Sequence, residues 1–103
     1  MASLIWSDTS KNDLKEIYSF IAQDSRYYAN SLINKINQSA KKLKYYPEIG
    51  RVVPEYQNVE IREIIFQNYR IIYQLTEKKI IILTVFHTSR DLEKFELEDW
   101  EIV

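Results

Sequence analysis

The chain has 103 residues, no cysteine, one histidine and a net charge of −1, which fits one domain spanning residues 1–103 and excludes disulfides and thiolate metal sites. One histidine is too few for a zinc site, so we expect no metal or other cofactor. No apolar run approaches the roughly 20 residues of a membrane-spanning helix, and the N-terminus lacks the features of a secretory signal, so we expect a cytoplasmic protein.

The first residues predict a short strand followed by an amphipathic helix. The apolar run at residues 3–6 ends at Ser7 and Asp8. Ser10 and Asp13 then resemble a capping box, which predicts that the helix begins near Ser10. The core-facing residues of this helix follow a helical spacing, at Leu14, Ile17, Tyr18 and Ile21.

A second helix is predicted after Ser25. Apolar residues recur with the helical period over four turns, while asparagines and lysines occupy the other face. The apolar positions are Ala29, Leu32, Ile33, Ile36, Ala40 and Leu43. Pro47 and Gly50 mark the loop that ends this helix.

Three segments rich in β-branched and aromatic residues predict three strands, at residues 59–66, 69–76 and 79–87. Short turns, at residues 67–68 and 77–78, join them as antiparallel neighbours. The third strand is apolar at both its odd and its even positions, so both of its faces should be covered by other parts of the protein. We therefore expect an α+β fold in which the N-terminal strand and a helical hairpin pack on an antiparallel-rich sheet.

Two polar residues in these strands are candidates for chemistry. His87 ends the third strand, and a histidine can exchange a proton near neutral pH; alternatively it only marks the edge of the core. Arg70 interrupts an apolar strand, and the hairpin register places it on one face with Glu63. A cross-strand Arg70–Glu63 ion pair is the simpler explanation for Arg70, because an unpaired buried cation is costly.

The charges divide unevenly along the chain. Residues 1–90 carry 13 basic and 9 acidic residues, whereas residues 91–103 carry one basic and six acidic ones. A basic body can bind a polyanion such as nucleic acid. We hypothesise that the acidic tail, residues 93–103, folds as a short helix over the basic face of the core, residues 1–92; a frayed, solvated end is the alternative.

If the polyanion is RNA, its 2′-hydroxyl can attack the adjacent phosphate. Cleavage then needs only a base, an acid and cations around the charged transition state. His87, a nearby glutamate and two arginines would supply these groups without a metal.

Three motifs in order behind the helical hairpin resemble the RelE/ParE superfamily of type II toxin–antitoxin toxins: "YPEIGRVVPE", "IREIIFQNYRIIYQL" and "IILTVFHTSRDL". The resemblance covers residues 3–92. It implies a toxin that arrests growth and stabilises plasmids, whose partner is a cognate antitoxin protein that wraps and silences it. It also implies the fold predicted above.

RelE-like members of this superfamily cut mRNA on the ribosome, whereas ParE-like members inhibit DNA gyrase without nuclease activity. Arg70 matches the arginine that RelE-like enzymes place on the scissile phosphate, while Ile61 and Glu63 replace two of RelE's lysines. The ending "HTSRDL" resembles ParE. Retention of Arg70 slightly favours a metal-independent mRNA endoribonuclease over a gyrase inhibitor. A non-toxic protein-interaction module is a third hypothesis.

The nuclease interpretation assigns roles to twelve residues. His87 would be the general acid or base, Arg70 and Arg90 would stabilise the phosphate, and Glu48 or Glu55 would assist. The residues expected to bind RNA are Arg51, Arg62, Lys41, Lys42, Lys44, Tyr69 and Tyr73. For Tyr69 and Tyr73, core packing is the simpler role, and stacking on a base is the alternative.

Overall fold

The computed structural model of the protein describes residues 2–89. Its helices are α1 (Asp8–Ala22) and α2 (Arg26–Lys41), and a 3₁₀ turn (Lys42–Lys44) follows α2. Its strands are β1 (Ser3–Trp6), β2 (Arg51–Val52), β3 (Ile61–Phe66), β4 (Tyr69–Leu75) and β5 (Lys79–His87). The predicted acidic tail lies outside the described residues.

The strands form one sheet in the order β1-β5-β4-β3-β2. β1 runs parallel to β5, and every other pair of neighbours is antiparallel. The predicted α+β fold is confirmed. β5 lies between β1 and β4, and its residues from Ile80 to Phe86 are all buried, as its apolar residues at both parities predicted. β2 was not predicted, because two residues are too few to show a strand pattern.

The sheet has a hydrophobic cluster on each face. On the helix face, Ile36, Ala40 and Leu43 from the α2 region pack with strand residues such as Ile71 and Tyr73. On the second face, the cluster comprises Val53, Ile61, Ile72, Ile81, Leu83 and Phe86, with Ile5 and Tyr56 at its margin. The loop between β2 and β3 thus covers part of the sheet face that the helices leave open.

The β3–β4 hairpin has the predicted register. Ile65 pairs with Arg70 and Phe66 with Tyr69, across a turn in which Gln67 has a φ of 53°. β3 begins at Ile61 rather than Val59, because Asn58 forms a turn: its carbonyl oxygen accepts a hydrogen bond from the Ile61 amide at 2.9 Å.

The start of α1 was predicted three residues too late. Ser7 caps the helix, and its Oγ accepts a hydrogen bond from the Ser10 amide at 3.1 Å. Ser10 is buried in the first turn, where its hydroxyl donates to the Ser7 carbonyl at 2.8 Å. Asp13 does not close a capping box; its carboxylate accepts hydrogen bonds from the Val85 amide at 3.0 Å and the Thr84 hydroxyl at 2.5 Å.

Hydrogen bonds from the start of α1 stabilise an irregularity in β5. Ile72 of β4 pairs with Thr84, but Tyr73 pairs with Ile82, so Leu83 is an extra residue, a β-bulge. The Ser7 hydroxyl donates to the Leu83 carbonyl at 3.0 Å, and the Ser7 amide donates to the Ile82 carbonyl at 3.0 Å. The bulge is therefore bound by polar groups rather than left unsatisfied.

The second helix follows its prediction. Ser25 is the N-cap, and its Oγ accepts from the Tyr28 amide at 3.1 Å. The α-helix ends at Lys41, so that Leu43, predicted as its last apolar position, is buried in the 3₁₀ turn. Within the described residues, neither helix has the length and apolar character required to cross a membrane.

Candidate functional site

Arg70 is held by two carboxylates on the second face of the sheet. Its Nε donates to Oε1 of Glu63 at 2.5 Å. Its two terminal nitrogens donate to the two carboxylate oxygens of Glu55, at 2.9 and 3.0 Å. The predicted Arg70–Glu63 pair is confirmed, and Glu55 adds a bidentate partner that the strand pattern did not indicate.

Glu63 is the centre of this ion network. Its side chain is fully buried, and its second oxygen, Oε2, accepts from Nε of Arg51 at 2.6 Å. The Arg70 side chain is only 11% exposed, whereas that of Arg51 is 62% exposed. Because a buried carboxylate is costly without partners, the two arginines are what permits Glu63 to lie inside the protein.

The Arg70–Glu55 pair shifts the pKa values of both its members. Hydrogen bonds from Arg70 lower the pKa of Glu55, although partial burial opposes this shift. The hydrogen bonds that Arg70 donates to Glu55, more than the one that it donates to Glu63, raise the pKa of Arg70 above its already high ordinary value. The guanidinium of Arg70 also lies 5.6 Å from the centre of the Phe86 ring. Arg70 is therefore a permanently charged group, and three of its five N–H donors are bound to carboxylates inside the protein.

The loop before β2 is fixed by a second set of contacts. The Tyr73 hydroxyl donates to the Pro47 carbonyl at 2.8 Å and accepts from the Gly50 amide at 3.0 Å. Nη1 of Arg62 donates to the Gly50 carbonyl at 3.0 Å and lies 3.5 Å from the Glu48 carbonyl. These contacts give the segment around Gly50 one conformation, and so place Arg51 beside Glu63.

Tyr73 cannot contact RNA as predicted. It is fully buried in the cluster on the helix face, where desolvation raises the pKa of its hydroxyl. Arg62 likewise serves the loop: its guanidinium binds backbone carbonyls, and its Nε is buried without a hydrogen-bond partner.

His87 lies on the opposite side of the sheet from Arg70. It pairs with Tyr69, whereas Arg70 pairs with Phe86, and adjacent residues of a strand point to opposite faces. The rings of His87 and Tyr69 are 5.5 Å apart, edge to face, and Nδ1 of His87 lies 2.9 Å from the Ser89 hydroxyl. The predicted combination of His87 and Arg70 in one site is therefore not formed.

His87 instead borders a hollow of about 440 Å³ beside α1. The hollow is lined by Asp13, Glu16, Ile17, Phe20, Tyr69, Val85, Phe86, His87 and Ser89. Its charged members are carboxylates, so its electrostatic potential is unfavourable for an RNA phosphate.

The remaining predicted residues are dispersed. Lys41 and Lys42 are exposed at the end of α2, and Lys44 is half-buried beside them. Glu48 is exposed in the loop before β2, away from the Arg70 network that contains Glu55. Arg90 lies outside the described residues. Among residues 2–89, no group of three or more histidine or acidic side chains has an arrangement that could hold a metal ion.

The comparisons with known proteins agree on this fold. Residues 4–92 match the family model of the ParE toxin of the type II toxin–antitoxin system parDE. No curated protein is significantly similar to the chain.

Two solved structures share the architecture. One, from the chromosomal ParDE toxin–antitoxin system of P. aeruginosa, is 21% identical with a TM-score of 0.71. The other, from the RelBE2 toxin–antitoxin complex of Mycobacterium tuberculosis, is 15% identical with a TM-score of 0.63. Each alignment covers 84% of this chain and 96% of the other. The family match spans most of the chain, so the chain belongs to the ParE toxin family of type II toxin–antitoxin systems.

Proposed function

We propose that this toxin arrests growth by inhibiting DNA gyrase, that it does not cut mRNA, and that a cognate antitoxin protein neutralises it. The observation that carries the proposal is the state of Arg70. A scissile phosphate would have to compete with the bidentate Glu55 carboxylate for the two terminal nitrogens of Arg70. The predicted preference for mRNA cleavage depended on the retention of Arg70 in the sequence, and here that residue is paired with Glu55 and Glu63.

The position of His87 supports the same conclusion. An acid–base group must lie within hydrogen-bond reach of the reacting atoms that the cation stabilises. His87 and Arg70 extend from opposite faces of the sheet, and the hollow at His87 contains Asp13 and Glu16. His87 therefore lies apart from the arginines of the ion network, which argues against a joint role of His87 and Arg70 in 2′-hydroxyl attack.

The antitoxin part of the proposal rests on the family. Both similar structures come from toxin–antitoxin systems. Expression of the toxin alone is expected to stop growth, and co-expression with its antitoxin is expected to restore it.

The test measures gyrase inhibition and mRNA cleavage with one preparation of toxin that is free of antitoxin. We expect inhibited supercoiling and trapped gyrase–DNA cleavage complexes, with intact message in a translating extract. His87→Ala and its exposed neighbour Thr88→Ala are expected to remain equally toxic. Discrete mRNA cuts that disappear in His87→Ala but persist in Thr88→Ala would overturn the proposal.

A further inference from the structure

A surface formed by two lysines and two tyrosines lies at the end of α2, outside the ion network and the His87 hollow. The amides of Tyr45 and Tyr46 both donate to the Lys42 carbonyl, at 3.1 and 3.0 Å, so the chain continues for one more turn after the α-helix. The two bonds to the Lys42 carbonyl keep Tyr45 and Tyr46 within one turn of Lys42. Lys41, Lys42, Tyr45 and Tyr46 are all exposed in this short segment; these four residues are called the Lys–Tyr surface.

The tyrosines of this surface have no structural role that explains them. Tyr45 is 68% exposed and Tyr46 is 65% exposed. Tyr73, by contrast, is fully buried in the core. Two adjacent exposed rings beside lysines offer aromatic faces on which a flat ligand can stack.

The charge around the rings is strongly positive. Residues 41–51 contain four basic residues and one acidic residue, Glu48. Next to Tyr46 lies a shallow hollow of about 530 Å³, lined by Tyr46, Pro47, Glu48 and Ile49. The surface thus combines cations, aromatic faces and a recess in one short segment.

We propose that the Lys–Tyr surface binds single-stranded nucleic acid. The lysines contact backbone phosphates, the tyrosine rings stack on unpaired bases, and the hollow receives a base beside Tyr46. Cations that follow a backbone and aromatic rings that stack on bases are the combination by which proteins bind single strands. A duplex keeps its bases paired and stacked, so it gains only the phosphate contacts. The proposal does not depend on whether gyrase is the target.

The test measures fluorescence anisotropy of labelled oligothymidylate, oligouridylate and a matched DNA duplex with the purified full-length chain. Tyr45→Ala/Tyr46→Ala is expected to weaken single-strand binding about fivefold or more for each ring that stacks. Tyr45→Phe/Tyr46→Phe keeps the rings and is expected to retain binding. DNA and RNA single strands are compared directly, because both offer the same phosphates and base faces.

The chain supplies matched controls. Tyr27 and Tyr28 form a second exposed pair, 76% and 68% exposed, in a segment without net charge, so Tyr27→Ala/Tyr28→Ala is expected to bind like the wild type. Lys41→Gln/Lys42→Gln is expected to reduce the slope of log K against log salt by about 1.4, at roughly 0.7 per phosphate contact. The same change at the exposed Lys11 and Lys15 of α1 is expected to leave the slope unchanged.

Three results would overturn the proposal. The first is equal loss of binding in the two tyrosine pairs, or in the two lysine pairs, which would indicate an effect of net charge or folding alone. The second is a duplex that binds as tightly as a single strand. The third is normal oligonucleotide binding by the Lys–Tyr variants together with weaker inhibition by the antitoxin, which would identify the surface as a protein interface. Circular dichroism and urea midpoints establish that each variant is folded.

Discussion

Position 50 requires glycine because there is no room for a side chain. Its backbone conformation is not the reason, since the φ of Gly50 is not positive. A β carbon there would lie 2.5 Å from the Tyr73 hydroxyl oxygen and 2.6 Å from the Glu63 carbonyl oxygen. We expect Gly50→Ala to lower the free energy of unfolding by about 1–3 kcal/mol, because the tyrosine ring or β3 must move to make room. Urea denaturation measures this change.

The hydroxyl of Tyr73 is the nearest obstacle, so a double mutant tests the cause. Tyr73→Phe removes that oxygen and leaves the Pro47 carbonyl and the Gly50 amide without their partner. The combined Gly50→Ala/Tyr73→Phe variant is expected to be more stable than the sum of the two single effects predicts. Strict additivity would show that the steric explanation is wrong.

The acid stability of the protein should depend on Glu55. Arg70 depresses the pKa of Glu55 in the folded state, so the pair stabilises the fold fully above the ordinary glutamate value of 4.5 and loses this contribution as the pH falls through the lowered value. Glu55→Gln is expected to be less stable than the wild type by about 1–3 kcal/mol at pH 7. Its deficit is expected to shrink as the pH is lowered below 4.5.

Urea midpoints across this pH range provide the measurement. The exposed Glu60 is a suitable control, because no side-chain ion pair of Glu60 is formed among the described residues. Glu60→Gln should follow the wild-type curve. If the stability difference between Glu55→Gln and the wild type stays constant with pH, ionisation of Glu55 does not contribute to stability.

Of the two carboxylate partners of Arg70, the sequence predicted only the one that strand geometry determines. Hairpin register determines which side chains share a face, and it correctly paired Arg70 with Glu63. Glu55 lies in the turns between β2 and β3, whose conformation has no periodic pattern to reveal it. The same limitation applies to Gly50 and Tyr73, which meet across 23 residues of chain.

At the level of the elements, the bulge at Leu83 decides which face carries His87. Without the extra residue, Tyr69 would pair with Phe86, and His87 would turn toward the side of Arg70. The bulge shifts the pairing by one residue and turns His87 toward α1. Because β5 is apolar at both odd and even positions, its sequence pattern does not reveal such a shift. The pattern therefore predicts the strand correctly, but it does not predict that His87 and Arg70 lie on opposite faces of the sheet.

The two helix N-caps allow the bulge contact to be measured. Ser7 and Ser25 each accept a helix amide hydrogen bond at 3.1 Å, but only Ser7 also donates to the Leu83 carbonyl. Ser25→Ala is expected to cost about 1 kcal/mol of stability, the usual value for an N-cap, and Ser7→Ala about 1 kcal/mol more. Thermal or urea unfolding of both variants checks the difference. Equal costs would show that the bond to β5 contributes nothing.

For the molecule as a whole, the uneven distribution of charge predicts an effect of the acidic tail. A chain without residues 93–103 retains 13 basic and 10 acidic residues, a net charge of +3 instead of −1. We expect this truncation to bind oligonucleotides more tightly at low salt, with the difference fading as salt screens the charges. The tail is hypothesised to cover the basic face as well as to repel phosphates.

A second variant separates the repulsion of phosphates by the tail from its covering of the basic face. Replacing the tail carboxylates Glu93, Glu96, Glu98, Asp99 and Glu101 by amides removes their charge and keeps the chain. If the tail covers the surface, the truncation should bind more tightly than the amide variant, as anisotropy titration would reveal. Unchanged affinity in the truncation would eliminate the covering role.

The pairing of β1 with β5 has a consequence for the timing of folding. Ser7 reaches Leu83 across 76 positions of the chain, and β1 has no other strand partner among residues 2–89. A nascent chain that ends before Lys79 therefore lacks both the partner of β1 and the inner neighbour of β4. Contacts so distant in sequence form late and slowly. A chain that ends before Lys79 can therefore pair only β2, β3 and β4, and the complete five-stranded sheet, with β1 docked at its edge, must wait until β5 has been made.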